Sequence, residues 1–170
     1  HECSSAASDV YKRQIYLGSG CFWGAEKGYE ILDGVINAKS GYANGYGVSP
    51  NYRSIIQLKN KFNKNNFAEV VEVTFNNNFV TLEEILMHFF ESHDPTQYNR
   101  QGNDIGTQYR STILYSDDDQ KEIAEMLKKK YQNLLSDYGY GSIKTIIEPQ
   151  ENFYLAEEYH QDYLKKNPNG

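Results

Sequence analysis

Residues 67–90 read FAEVVEVTFNNNFVTLEEILMHFF, and this segment indicates the class of fold. Its first nine residues end in an alternation, with Val71, Val73 and Phe75 on one face and Glu72 and Thr74 on the other, which predicts a strand with one buried side. The three asparagines that follow are typical of a turn.

The second half of this segment predicts an amphipathic helix. Residues 81–84 read TLEE, a capping box that opens a helix. Apolar residues then recur at the spacing of one helical face, at Leu82, Ile85, Leu86, Phe89 and Phe90. A strand that leads directly into such a helix indicates a sheet covered by helices.

On both sides of this segment, the same patterns predict the element order β-α-β-β-α-β-α-β-α. The predicted strands cover residues 15–17, 34–42, 67–75, 110–115 and 142–147. The predicted helices cover residues 21–32, 81–90, 117–139 and 156–166. Such alternation predicts an α+β fold, a two-layer ferredoxin-like sandwich with a mixed sheet, helices and long functional loops.

The length and composition of the chain limit the number of domains and the classes of partner. The chain has 170 residues, which suits one domain, and we assign residues 15–170 to it. Residues 1–14 are rich in Ser and Ala, and we expect a tail that is disordered or foreign to the native protein. The net charge of −6 without a basic block argues against nucleic acid as a partner, and no apolar run is long enough to cross a membrane. The N-terminal residues lack the apolar core of a signal peptide, so we expect a cytoplasmic protein, and we also expect a monomer.

Cys21 is the first candidate functional residue. It lies directly after Gly18-Ser19-Gly20 and directly before a predicted helix. A thiol at a helix N-terminus faces the positive end of the helix dipole and free backbone N–H groups, and both favour the thiolate. The alternative is a small buried hydrophobic residue, the usual fate of a lone cysteine.

Three further side chains could complete a site around Cys21. Phe22 and Trp23 follow it and could form an apolar pocket for a small alkyl group, or could be ordinary core residues. Glu69 shares the buried face of its strand, where desolvation favours the protonated acid and makes it a plausible proton donor. Alternatively, Glu69 lies at a strand end and reaches solvent.

The long polar segment 93–110 is typical of a functional loop or of an ordered surface loop. The four histidines show no metal-ligand spacing, so we expect no metal site, and phosphate-loop and dinucleotide patterns are absent. A cysteine hydrolase would need a histidine base near Cys21, and no histidine follows such a pattern.

Several blocks of the chain, in order, resemble the A-type peptide methionine sulfoxide reductases. Residues 20–24 (GCFWG) are similar to the active-site signature of that family, and residues 93–111 are nearly its full pattern. The remaining blocks are residues 40–43, 67–71, 156–161 and 167–170. The resemblance covers about residues 15–170.

The resemblance implies reduction of methionine S-sulfoxide, free or in proteins, to methionine. It implies that Cys21 attacks the sulfoxide sulfur and becomes a sulfenic acid, and that Phe22 and Trp23 bind the substrate methyl group. Glu69 would protonate the sulfoxide oxygen. The residues implied to bind that oxygen or support the polar side of the site are Tyr52, Tyr109 and Asp104.

This chemistry predicts two opposite pKa shifts in one pocket, down for Cys21 and up for Glu69. No bound cofactor is expected. The sulfenic acid needs a thiol reductant, namely thioredoxin, glutaredoxin with glutathione, or dithiothreitol.

Three features depart from the family pattern. Phe67 stands where members often have His. The segment of residues 57–66 is longer than usual, so the assignment of Tyr52 depends on where the insertion falls. No resolving cysteine is present, because Cys3 lies in the predicted tail; either the chain stops short of one or an external thiol acts directly. A competing hypothesis is therefore a non-catalytic relative that binds oxidised methionine.

Overall fold

The computed structural model describes residues 10–170, and these form an open mixed sheet with helices packed on it. The eight strands are β1 (Lys12–Gly18), β2 (Val35–Ala43), β3 (Ala68–Asn76), β4 (Arg100–Gln101), β5 (Asp104–Ile105), β6 (Thr112–Tyr115), β7 (Ile146–Pro149) and β8 (Phe153–Leu155). The five α-helices are α1 (Phe22–Glu30), α2 (Tyr52–Ile55), α3 (Leu82–Glu91), α4 (Asp118–Asp137) and α5 (Tyr163–Lys166). In this part of the chain no helix is long and apolar enough to span a membrane.

The main sheet has the order β7-β6-β1-β3-β2-β8. Every neighbouring pair is antiparallel except β6 and β7, which are parallel. The inner order β6-β1-β3-β2 is that of a ferredoxin-like βαββαβ unit, so the predicted fold class is confirmed. β4 and β5 form a separate hairpin within the long polar loop.

The core lies between one face of the sheet and the helices. Val71, Val73 and Phe75 of β3 enter it together with the apolar stripe of α3, as the alternation and the helical spacing predict. The hydroxyl of Thr81 accepts a hydrogen bond from the Glu84 N–H and caps α3. The opposite sheet face carries a smaller apolar cluster covered by Phe153.

The predicted tail boundary is wrong. Residues 12–14 belong to β1, where Lys12, Arg13 and Gln14 pair with the end of β3. Their polar side chains hide the strand from pattern analysis, because this end of the sheet is exposed. Residues 1–9, including Cys3, lie outside the described residues.

The C-terminal elements also differ from the prediction. The expected helix over residues 156–166 is instead a 3₁₀ turn (Glu158–His160) and the short α5. Asp162 separates them with a left-handed backbone, φ 54°, which a continuous helix cannot contain. β7 covers Ile146–Pro149 rather than the predicted residues 142–147, and it contains Pro149, which is tolerated because β7 is an edge strand. β8 was missed; it is a three-residue strand without alternation that pairs with β2.

Candidate active site

Cys21 is the N-cap residue of α1, as its sequence position predicts, and is partly exposed. Gly20 before it has φ +99°, and a side chain there would collide with Gln101 of β4. The turn therefore requires glycine for both its backbone conformation and its close packing. The Trp23 backbone N–H near the thiol favours the thiolate and acts to lower the pKa of Cys21.

Glu69 lies beside Cys21 on the helix-facing side of β3 and is only 2 % exposed. Its carboxyl accepts a hydrogen bond of 3.3 Å from the Phe22 N–H. Burial raises the pKa of Glu69 to about 8, because desolvation outweighs the effect of that bond. The predicted upward shift is confirmed, and at neutral pH this residue carries a proton.

The predicted downward pKa shift of Cys21 is wrong. Burial and the nearby charge of Glu69 raise the pKa of Cys21 to about 12, and the Trp23 N–H opposes this only in part. Sequence position correctly predicts the helix terminus, but the desolvating neighbours come from other elements. At neutral pH the unliganded site therefore holds both a thiol and a protonated carboxyl group.

Three further residues lie close to both Cys21 and Glu69, namely Tyr52, Tyr109 and Asp104. Tyr52 is the first residue of α2, Tyr109 ends the 3₁₀ turn Thr107–Tyr109, and Asp104 lies on β5. The pKa values of both tyrosines are raised, chiefly by burial and then by the charge of Glu69, with smaller contributions from Cys21 and Asp104. Both phenols therefore remain protonated and can donate hydrogen bonds.

The long segment 57–66 does not displace Tyr52 from the site. Its Asn60 and Lys61 carbonyl oxygens accept hydrogen bonds from the hydroxyl and N–H of Thr107, at 2.9 and 2.7 Å. The Asn60 amide donates to the Ser54 carbonyl oxygen at 2.7 Å. The insertion thus joins α2, which carries Tyr52, to the turn that carries Tyr109.

Phe22 and Trp23 have different environments. Phe22 is only 1 % exposed and packs on Tyr42 and His160, so its side chain is mainly a core residue. Trp23 is partly exposed and its indole stacks on Tyr163 with ring centroids 3.7 Å apart. Trp23 is therefore the better placed of the two to contact a ligand.

His160 is a residue that sequence reasoning missed. It is buried, and its Nδ1 accepts a hydrogen bond of 2.9 Å from the Trp23 indole N–H. The neutral ring must then carry its proton on Nε2, which lies 3.7 Å from the Glu157 carboxylate. Its Nδ1 is therefore engaged by Trp23, and among residues 10–170 no hydrogen bond joins a histidine to Cys21.

Glu157, also missed, ties the C-terminal block to the site. Its carboxylate accepts hydrogen bonds from the Tyr52 N–H at 3.3 Å and from the hydroxyls of Tyr42 and Tyr159 at 3.0 and 2.9 Å. These bonds lower the pKa of Glu157 and keep it ionised. The only sequence signal for His160 and Glu157 is their place in the block of residues 156–161.

A cluster of three carboxyl groups joins α1 to the C-terminal segment at Asp162. Oxygens of Glu26, Glu30 and Asp162 lie within 4.8 Å of one another. Glu26 is satisfied by the Ser40 N–H and hydroxyl and by the Asp162 N–H. Burial and a hydrogen bond with Asp162 raise the pKa of Glu30 to about 7, so hydrogen bonds within the protein account for the cluster.

Comparison with known proteins assigns the family. The model of the family "Peptide methionine sulfoxide reductase" matches residues 13–170. The chain belongs to this family.

Individual members of the family show the same likeness. The human mitochondrial peptide methionine sulfoxide reductase is 47 % identical over 154 residues, which are 91 % of this chain and 63 % of the human protein. The chain therefore spans less than two thirds of that relative. The reduced form of Mxr1 from Saccharomyces cerevisiae superimposes with a TM-score of 0.84 at 40 % identity, covering 95 % of this chain and 88 % of Mxr1.

One solved structure of the family includes a second protein. Mxr1 from Saccharomyces cerevisiae in complex with Trx2 matches with a TM-score of 0.63 and 32 % identity, over 91 % of this chain and 86 % of Mxr1. In this family, a reductase has thus been observed in contact with the protein named Trx2.

Proposed function

We propose that this chain reduces methionine S-sulfoxide, free or in polypeptides, to methionine, with Cys21 as the nucleophile. The observation that carries the proposal is the pairing of Cys21 with a buried carboxyl group that stays protonated at neutral pH. A sulfoxide oxygen leaves only after it gains a proton, so the nucleophile and an acid must occupy one pocket.

Binding orients the sulfoxide between the apolar and polar sides of the pocket. The substrate methyl group lies against the exposed part of Trp23, with Phe22 behind it. The oxygen accepts hydrogen bonds from the hydroxyls of Tyr52 and Tyr109 and from the Glu69 carboxyl group. Asp104 supports the polar side at the solvent edge. The chirality of this arrangement is the physical basis for selecting one epimer.

The reaction exchanges one oxygen atom and two electrons. As Sγ of Cys21 attacks the substrate sulfur, Glu69 donates its proton to the oxygen and is reprotonated by the thiol proton. The attack forms a bond between Sγ and the substrate sulfur. The protonated oxygen then bonds to Sγ as the substrate S–O bond and the new Sγ–S bond break, so one thiol and one sulfoxide give one sulfenic acid and one thioether. The proton passes from the thiol to the oxygen through Glu69. A Glu69 carboxylate and a Cys21 thiolate therefore do not accumulate side by side.

Recycling needs two thiols from a reductant. The first attacks the Cys21 sulfenic acid, releases water and forms a mixed disulfide. The second releases Cys21 and leaves the reductant as a disulfide. We propose a thioredoxin-type reductant, supported by the Mxr1–Trx2 complex, with glutaredoxin or dithiothreitol as substitutes.

The cytoplasmic location and the monomeric state of the protein remain predictions from the sequence.

The deciding experiment measures methionine formed per mole of protein from S- and R-sulfoxide peptides, with and without dithiothreitol. We expect about one equivalent from the S epimer alone and many equivalents with dithiothreitol. The Cys21→Ser variant, which replaces the sulfur by oxygen and keeps the shape of the side chain, should form none. No methionine from either epimer would contradict the proposal and favour a binding module without turnover.

A further inference from the structure

A basic and apolar surface borders the candidate site on the side of Tyr52. We define it as the basic segment, residues 46–64. Four of the chain's 17 basic residues lie here and none of its 23 acidic residues does, although the net charge of the whole chain is −6. The charge of this segment is therefore opposite to that of the chain as a whole.

The basic side chains of the segment are available to a partner. Among residues 10–170 the ion pairs within 4 Å involve none of Arg53, Lys59 and Lys61. Arg53 and Lys59 are exposed and Lys61 is partly exposed. Lys64 is different, since it shares a cleft with Glu148 and Glu151, whose negative charges offset its own.

Large apolar side chains lie among these charges. Val48, Leu58 and Phe62 are 84, 85 and 75 % exposed, and the Lys61 ammonium lies 5.8 Å from the centre of the Phe62 ring. A surface of this kind fits an extended polypeptide that presents both carboxylates and apolar side chains.

The segment is held rigidly against the catalytic groups. It contains Tyr52, and its Asn60 and Lys61 carbonyl oxygens bind Thr107 in the turn that ends at Tyr109. A polypeptide whose sulfoxide reached Cys21 would therefore extend across this surface on at least one side. On the side of the site away from the basic segment, the exposed carboxylate of Asp104 repels acidic residues of the polypeptide.

We propose that the basic segment binds the substrate polypeptide and selects methionine sulfoxides flanked by acidic residues. This inference rests on the proposed function for the sulfoxide and adds the class of polypeptide that carries it. Attraction between exposed charges acts over about 8 Å at physiological salt, which covers about two residues of an extended peptide on the side that faces the basic segment.

The test compares three peptides of equal length with one central methionine S-sulfoxide flanked by Glu, Gln or Lys. With dithiothreitol as the reductant, we expect kcat/KM for the Glu peptide to exceed that for the Gln peptide about three- to tenfold, with the Lys peptide lowest. The preference should disappear at about 0.5 M salt. Equal kcat/KM for all three peptides would overturn the proposal and leave the reductase activity standing.

Charge variants locate the effect. Lys59→Gln with Lys61→Gln should reduce the preference for the Glu peptide to about twofold or less, and leave kcat/KM for the Gln peptide unchanged. The matched control is Lys129→Gln with Lys130→Gln on α4, which should keep the preference. If the first pair slows turnover only when thioredoxin replaces dithiothreitol, the surface binds the reductant and the proposal is wrong.

A binding measurement separates this proposal from failure of the reductase activity. In the Cys21→Ser variant, fluorescence of Trp23, the only tryptophan of the chain, reports peptide binding. We expect a Kd for the Glu peptide about three- to tenfold below that for the Gln peptide. Equal Kd values would contradict the proposal even if no peptide were reduced.

Discussion

The Phe22 N–H donates a 3.3 Å hydrogen bond to the Glu69 carboxyl group, so the proposed proton donor is bonded to the residue that follows the proposed nucleophile. This bond connects the first turn of α1 to the centre of β3. It orients the carboxyl group without ionising it, because burial of Glu69 outweighs the effect of one donor. The distance between acid and nucleophile therefore depends on how α1 packs on the sheet.

Glu69→Gln should slow reduction of the S-sulfoxide at pH 7 by about two orders of magnitude, because the amide accepts the Phe22 N–H but donates no acidic proton. The loss should be smaller at pH 5, where water supplies protons more readily. Single-turnover methionine formation measures this rate. Glu72→Gln on the same strand is the matched control and should be unaffected; an unchanged rate in Glu69→Gln would remove Glu69 from the mechanism.

Glu69→Gln should also raise the free energy of unfolding at high pH. The folded-state pKa of Glu69 is about 8, above the ordinary value of 4.5, so folding favours the protonated form. The stability that the folded protein gains from this raised pKa is fully present below pH 4.5 and is lost as the pH rises through 8. Glu69→Gln should therefore match the wild type at pH 4 and exceed it at pH 9, by on the order of 3–5 kcal/mol.

Urea denaturation at several pH values measures this difference. Glu72→Gln again serves as the control and should show no such pH dependence. A wild-type protein as stable at pH 9 as its Glu69→Gln variant would show that the carboxyl group ionises at its ordinary pKa.

Cys21 should react slowly with iodoacetamide at pH 7, because its pKa is raised to about 12 and little thiolate is present. The rate should rise about tenfold for each pH unit and reach no plateau below pH 10. Glu69→Gln should speed the reaction at pH 9, since it removes the nearby negative charge. A plateau near pH 7 would instead support the thiolate that the helix terminus alone predicts.

Tyr52→Phe and Tyr109→Phe should each lower kcat/KM for the S-sulfoxide about tenfold, because each removes one hydrogen-bond donor from the oxygen site. The double variant should lose more than either single one. Tyr138→Phe is the control, because Tyr138 follows the last residue of α4 and its side chain is 76 % exposed. Full activity in the double variant would show that neither phenol contacts the oxygen.

Sequence alone predicts those features that depend on local periodicity. The alternation in residues 67–75 correctly assigns Glu69 to the buried face of β3, because side chains of a strand alternate whatever the partner strands are. Thr81 and the apolar stripe after it correctly place α3 for the same kind of reason. The position of Cys21 at a helix start is likewise encoded in the glycines before it.

Features that depend on contacts between distant segments follow from tertiary packing. Cys21 has a raised pKa because burial and Glu69, 48 positions away, outweigh the local helix terminus. His160 accepts the Trp23 N–H across 137 residues, and the left-handed Asp162 ends the expected C-terminal helix where its N–H binds Glu26. Local sequence determined which groups the site contains, and packing determined which of them carries the proton, because desolvation and charge act through space rather than along the chain.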